Sequence, residues 1–137
     1  MKSYVYELKL TVRDYELDFE GIVNNAVYMN YLEHTRHEFL KQAGINIPLL
    51  HQEGVDPVVT HADIQYKHSL VSGDAFTSRL NLQKEGIRFI FYQDIYRDSD
   101  NVLMIKAKIE AAILQHGRPM RNSIFDELFK DYLTKYS

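Results

Sequence analysis

The chain has 137 residues, of which 45% are hydrophobic and 26% charged, with a net charge of −3. These are values of one globular domain, long enough to bury roughly 68% of the surface its unfolded chain exposes, and the charge argues against a nucleic-acid surface as its main business. Cysteine is absent, which excludes disulfides, thiolate metal sites and a cysteine nucleophile.

The opening residues MKSYVYELKL alternate and carry charge, unlike the apolar run of a signal peptide. Residues 4–14 read as a half-buried strand, with Val5, Leu8, Leu10 and Val12 set against Lys9, Thr11 and Arg13. An irregular segment with Gly21 follows. From Asn25 to Ala43 the apolar positions Val27, Tyr28, Tyr31, Leu32, Thr35, Phe39, Leu40 and Ala43 follow a period of about 3.6 residues and predict one long helix. Gly44 suits its end. A loop with Pro48, Gly54 and Pro57 comes next, and the period then changes to two.

Four strands follow, at 58–67, 75–83, 87–97 and 102–114. The first sets Val58, Thr60, Ala62, Ile64 and Tyr66 against Val59, His61, Asp63, Gln65 and Lys67. The third is aromatic-rich on both sides, which predicts cover on both faces. Glu85-Gly86 and the stretch from Asp98 to Asn101 read as hairpin turns, so neighbours run antiparallel. Ser123 is a candidate N-cap for a short final helix with Ile124, Leu128 and Tyr132, joined by Phe125 and Phe129, as its stripe. The long helix must bury its apolar face, and the sheet offers the large surface that can cover it. The expected fold is α+β: a curved antiparallel sheet of about five strands wrapped round one central helix, in a single domain over 1–137. No apolar stretch approaches the roughly 20 residues of a membrane span, so the plain expectation is a cytoplasmic protein without membrane insertion.

The stretch LDFEGIVNNAVYMNYLEHTRHEFL, residues 17–40, carries the chemistry. It places Asp18 in a loop three residues before Gly21 and shortly before the helix. Backbone N–H groups at a helix start are free donors, and the dipole there favours negative charge. A carboxylate beside such amides suits thioester hydrolysis: one activates or delivers the nucleophile, the other stabilises the tetrahedral oxyanion. An aspartate before a helix also commonly caps a turn, and spacing alone favours that simpler role.

Arg13, Tyr15, Asp18, Gly21, Ile22, Val23, Tyr28, Tyr31, Glu33 and Arg36 stand in the register of the 4-hydroxybenzoyl-CoA thioesterase branch of the hotdog superfamily, which the segment resembles. The match continues more loosely through Tyr66, Gly73-Asp74 and Gly117-Arg118-Pro119. The resemblance implies hydrolysis of an acyl-coenzyme A with no cofactor and no metal. It places the nucleophile or general base on Asp18 and a polarising amide on the N–H of Asn25, with Gly21, Ile22 and Val23 forming the turn. It also implies a homodimer joined through its sheets, usually paired into a tetramer, with active sites between subunits. Where many members carry Tyr-His this chain has Asn24-Asn25, and Ser69 stands where they carry a proline.

Ile22, Val23, Asn24 and Tyr28 are then candidate substrate contacts, with His61, Lys67 and Arg88 as polar contacts further off. His68, Lys84, Arg118 and Arg121 are further cations available for phosphates. Glu33 is a second candidate carboxylate, although its simplest partner is Arg36 one turn on. His34 and His37 are spaced by three rather than four and lack the zincin pattern. Alternative readings are a thioesterase acting on acyl-carrier protein and a non-catalytic acyl-CoA-binding protein.

Overall fold

The computed structural model describes residues 4–133. Strand β1 (Tyr6–Thr11) leads through a single 3-10 turn (Asp14–Glu16) to the long helix α1 (Asn25–Gln42) and the short helix α2 (Ile47–Gln52). Strands β2 (Val55–Tyr66), β3 (Ala75–Glu85), β4 (Arg88–Arg97) and β5 (Val102–Gln115) follow, then the two-residue β6 (Arg118–Pro119) and helix α3 (Ile124–Leu128). The sheet order is β1-β3-β4-β5-β2, antiparallel throughout, with β6 paired to β5. Both β1 and β2 are therefore edge strands.

Helix α1 buries Tyr28, Tyr31, Leu32, Thr35, Phe39 and Leu40, most of the stripe its period predicts. Against it lie Phe76, Ser78, Leu80 and Leu82 of β3, each fully buried. The helix packs chiefly over β3 and β1, so it leaves the inner face of β2 comparatively bare. Strand β4 buries Phe89, Ile90, Phe91, Gln93, Asp94 and Ile95, and is covered on both faces as its sequence predicts.

Three differences from the sequence reading have physical causes. Residues 47–52, read as loop, form α2: Asn46 caps it by accepting from Leu49 N–H at 3.0 Å, and Pro48 sits in the first turn, where its missing N–H costs nothing. Strand β2 starts at Val55 and contains Pro57, which an edge strand tolerates. A register shift between Val59 and His61 reverses the alternation, so Val59, beside Ala111, joins Ala62, Ile64 and Tyr66 on the helix-facing side while Val58 turns outward. At the C-terminal helix the buried residues are Phe125 in α3 and Phe129 just after it, whereas Ile124 is half exposed, because the rings of Phe125 and Phe129 meet each other and Phe129 meets Phe89 of the sheet.

Candidate active site

Residues 17–23 form a miniature hairpin. Leu17 pairs with Val23, Asp18 N–H donates to the Ile22 carbonyl at 2.8 Å, and Gly21 N–H donates to the Asp18 carbonyl at 3.0 Å. Gly21 has φ +82°, a left-handed conformation that glycine adopts without penalty. The Asp18 side chain divides its two oxygens. Oδ1 accepts from the N–H groups of Glu20 at 2.8 Å and Ile22 at 3.4 Å, so the capping role is real. Oδ2 accepts no hydrogen bond among the described residues. The first oxygen fixes the carboxylate and the second is left for other work.

The helix start is equally divided. Asn24 is the N-cap: its Oδ1 accepts from Ala26 N–H at 2.9 Å, and its carbonyl accepts from Val27 N–H at 2.9 Å. The Asn24 N–H donates to the Glu16 carbonyl at 3.1 Å and Val23 N–H to the Leu70 carbonyl at 3.0 Å. The N–H of Asn25 makes no hydrogen bond among the described residues. It is an open donor at the positive end of an 18-residue helix.

Two supports hold this turn. Glu16 is buried, and its carboxylate accepts from Arg13 N–H at 2.8 Å, the Arg13 guanidinium at 2.9 Å and the Tyr31 hydroxyl at 2.8 Å. Burial raises the Glu16 pKa, but those hydrogen bonds and the Arg13 charge outweigh it, and the net shift is downward. The second support is the segment after β2. Tyr28, buried at the start of α1, accepts from Leu70 N–H at 2.9 Å, Ile22 pairs with Val71, and the Ser72 hydroxyl bonds the Asp14 carboxylate. Sequence reading missed Glu16. The signal was present as Arg13 and Glu16 at capping-box spacing, but it sat in a segment without periodicity.

The structure thus brings Asp18, Gly21, Ile22, Asn24, Asn25 and Tyr28 into one turn-and-helix unit. Val23 is 1% exposed and packs in the core behind it. Lys67 lies exposed just after β2, with its N–H on the Met104 carbonyl. His61 faces away from α1, beside Glu110 on the outer side of the sheet. Arg88 sits at the β3–β4 hairpin opposite Glu85, at the far end of β3 from Ala75, about 33 Å along the strand. Within one protomer neither His61 nor Arg88 approaches Asp18. Lys84 is committed to Asp126 and the Arg121 carbonyl. Glu33 is exposed and forms no ion pair with Arg36 among the described residues. Arg36 falls on the buried stripe of the helix and bonds Gln93 Oε1 at 2.9 Å instead.

Between α1 and the bare inner face of β2 runs an open strip, apolar on its sheet side where Val59 and Tyr66 are exposed. Tyr28 meets Tyr66 at one end with ring centroids 5.8 Å apart, and Leu40 and Pro57 flank the other. The strip ends in a cavity of about 380 Å³ walled by Phe89, Phe91, Phe125 and Phe129 and, on the α1 side, by Glu33, Arg36 and His37. Neither this cavity nor the groove of about 710 Å³ at the α1–α2 turn is lined by Asp18.

A long helix held in a curved antiparallel sheet, with a carboxylate turn at the helix start, defines a hotdog-fold protein. The family model of the thioesterase-like superfamily matches residues 12–128, and the chain belongs to that superfamily. A chloroplastic acyl-acyl carrier protein thioesterase of Arabidopsis thaliana is 36% identical over 121 residues, covering 87% of this chain and 64% of that protein. The chain therefore spans less than two thirds of that relative's length. A hypothetical protein of Aquifex aeolicus, known from its crystal structure, is 26% identical with a TM-score of 0.81, over 93% of this chain and 98% of that one. The 1,4-dihydroxy-2-naphthoyl-CoA thioesterase from Synechocystis superposes with a TM-score of 0.83 over 93% of this chain and 94% of that one at 13% identity, a likeness of fold alone. Among the described residues no helix is long and apolar enough to cross a membrane.

Proposed function

We propose that the protein hydrolyses an acyl-CoA thioester, and that it sits in the 4-hydroxybenzoyl-CoA thioesterase branch of its superfamily. The observation that carries this reading is that, among the described residues, neither Asp18 Oδ2 nor the Asn25 N–H at the start of α1 makes a hydrogen bond. Asp18 attacks the thioester carbonyl directly or takes a proton from the attacking water. Asn25 N–H, aided by the helix dipole, receives the oxyanion as the carbonyl carbon becomes tetrahedral. Collapse expels the coenzyme A thiolate and leaves the free acid. Direct attack by Asp18 adds one step, because water must then open the mixed anhydride.

The acyl chain lies along the strip between α1 and β2, whose apolar floor needs cover. Strand β2 is an edge, and its exposed Val59 and Tyr66 favour a homodimer joined edge to edge, with a second copy closing the cleft and a dimer of dimers as the larger assembly. A cytoplasmic location completes the proposal. The Arabidopsis relatives favour a second reading, in which the thioester is carried by acyl-carrier protein.

One experiment tests the reaction and the carrier together. Wild type and Asp18→Asn are assayed on one set of acyl groups presented on coenzyme A and on carrier protein. Hydrolysis of the coenzyme A series that disappears in the variant supports the proposal. Turnover of carrier-bound groups alone moves the assignment to the second reading, and no turnover of either removes the enzyme.

A further inference from the structure

Arg36 lines the cavity at the end of the strip and is 7% exposed. Of the guanidinium's five N–H donors, one on Nη1 is bonded, to Gln93 Oε1 at 2.9 Å. Gln93 is itself fixed, because its Nε2 donates to the Leu32 carbonyl at 3.0 Å. No carboxylate pairs with Arg36 among the described residues, and its Nε and Nη2 make no hydrogen bond there. Burial pulls its pKa below the ordinary value, and the charge of Glu33 offsets only part of that. A guanidinium so little exposed, with one hydrogen bond and no carboxylate within ion-pair distance among the described residues, has bonding capacity to spare, although Glu33 and His37 line the same cavity. The open Nε–Nη2 edge is the side of a guanidinium that receives both oxygens of one carboxylate.

We infer that this cavity binds the far end of the acyl group and selects acyl thioesters whose chain ends in a carboxylate, held on the Nε–Nη2 edge of Arg36. The inference rests on the acyl-thioester reading above. Asn25 and Arg36 are on the same helix, about 16 Å apart along its axis. The thioester carbonyl at the first and a terminal carboxylate at the second would thus stretch a long-chain dicarboxylic mono-thioester along the strip. Its methylenes meet the apolar floor, and its far charge meets the open edge of Arg36 on the cavity wall.

The test compares two substrate series of equal lengths: the mono-CoA thioesters of dicarboxylic acids from suberic to hexadecanedioic, and the methyl-terminated acyl-CoAs. The expected result is a kcat/KM about tenfold or more higher for the longer carboxylate-terminated substrates, with the ratio collapsing in Arg36→Met and partly kept in Arg36→Lys. A second measurement needs neither turnover nor a variant: calorimetric titration of the wild type with hexadecanedioate and with hexadecan-1-ol, which carries no carboxylate to offer Arg36 from either end. Tighter binding of the dicarboxylate supports the inference. Equal or weaker binding, together with faster turnover of the methyl-terminated series, overturns it and leaves the hydrolase standing. Absence of turnover in both series removes the hydrolase, and the titration then decides the role of Arg36 alone.

Discussion

Replacing Tyr31 by Phe removes one hydroxyl from beneath the site and nothing else. The Tyr31 hydroxyl donates to Glu16 Oε1 at 2.8 Å, and both residues are buried. A hydrogen bond to a charged acceptor contributes about 1.5–3 kcal/mol. Glu16 keeps its two bonds from Arg13 and is not orphaned, so the lower part of that range applies. A loss of about 2 kcal/mol in a domain of this size lowers the unfolding temperature by roughly 5–8 °C, readable by calorimetry.

The pH dependence gives the sharper reading. The folded-state pKa of Glu16 lies below its ordinary value of 4.5. Its contribution is therefore complete above the ordinary value and is lost as pH falls through the depressed one. The gap between wild type and Tyr31→Phe should be full at neutral pH and should close in acid as Glu16 protonates. Turnover should fall too, since the Glu16 carbonyl receives the Asn24 N–H at the mouth of the helix. A gap that is absent at neutral pH, or constant into acid, would refute the assignment of Glu16 as the charged clamp.

Loss of the helix cap in Asn24→Ala should cost about 1 kcal/mol, because Ala26 N–H loses its acceptor. Asn24→Asp should restore most of it, and denaturant unfolding of the three proteins checks the order. Val59 is exposed on the helix-facing side of an edge strand, so Val59→Lys should leave the protomer folded and oppose edge-to-edge pairing. Sedimentation velocity should then show a smaller assembly than wild type, and an unchanged assembly would remove β2 from the interface.

The long helix and the order of strands were legible because period 3.6 and period 2 are strong over many residues. Tyr28, Leu32, Phe39 and Leu40 on one side, and Phe76, Leu80 and Leu82 opposite, declare their burial by spacing alone. Helix α2 was not legible, because six residues around a proline carry no period. The register shift near Thr60 was equally hidden, since the pairing strand decides it and the local residues do not. In the site, Asp18 and Asn25 could be singled out by position relative to the helix start. That one oxygen of Asp18 ties down the turn while the other stays open is a matter of backbone geometry, which a residue pattern does not encode. His61 and Arg88 failed to join Asp18 within a protomer because strand face and strand end are set by sheet register. Arg36 was paired with Glu33 by helix spacing, whereas its burial turned it toward Gln93.

The account stands most directly on Asp18, and single-turnover kinetics of Asp18→Asn with a long-chain acyl-CoA measures it. The amide keeps the size of the side chain and an oxygen able to accept from Glu20 N–H, so substrate affinity and unfolding temperature should stay close to wild type. Cleavage should slow by about 100-fold or more. A variant that binds and cleaves at the wild-type rate would contradict the account, because the open oxygen at the helix mouth would then have no part in breaking the thioester.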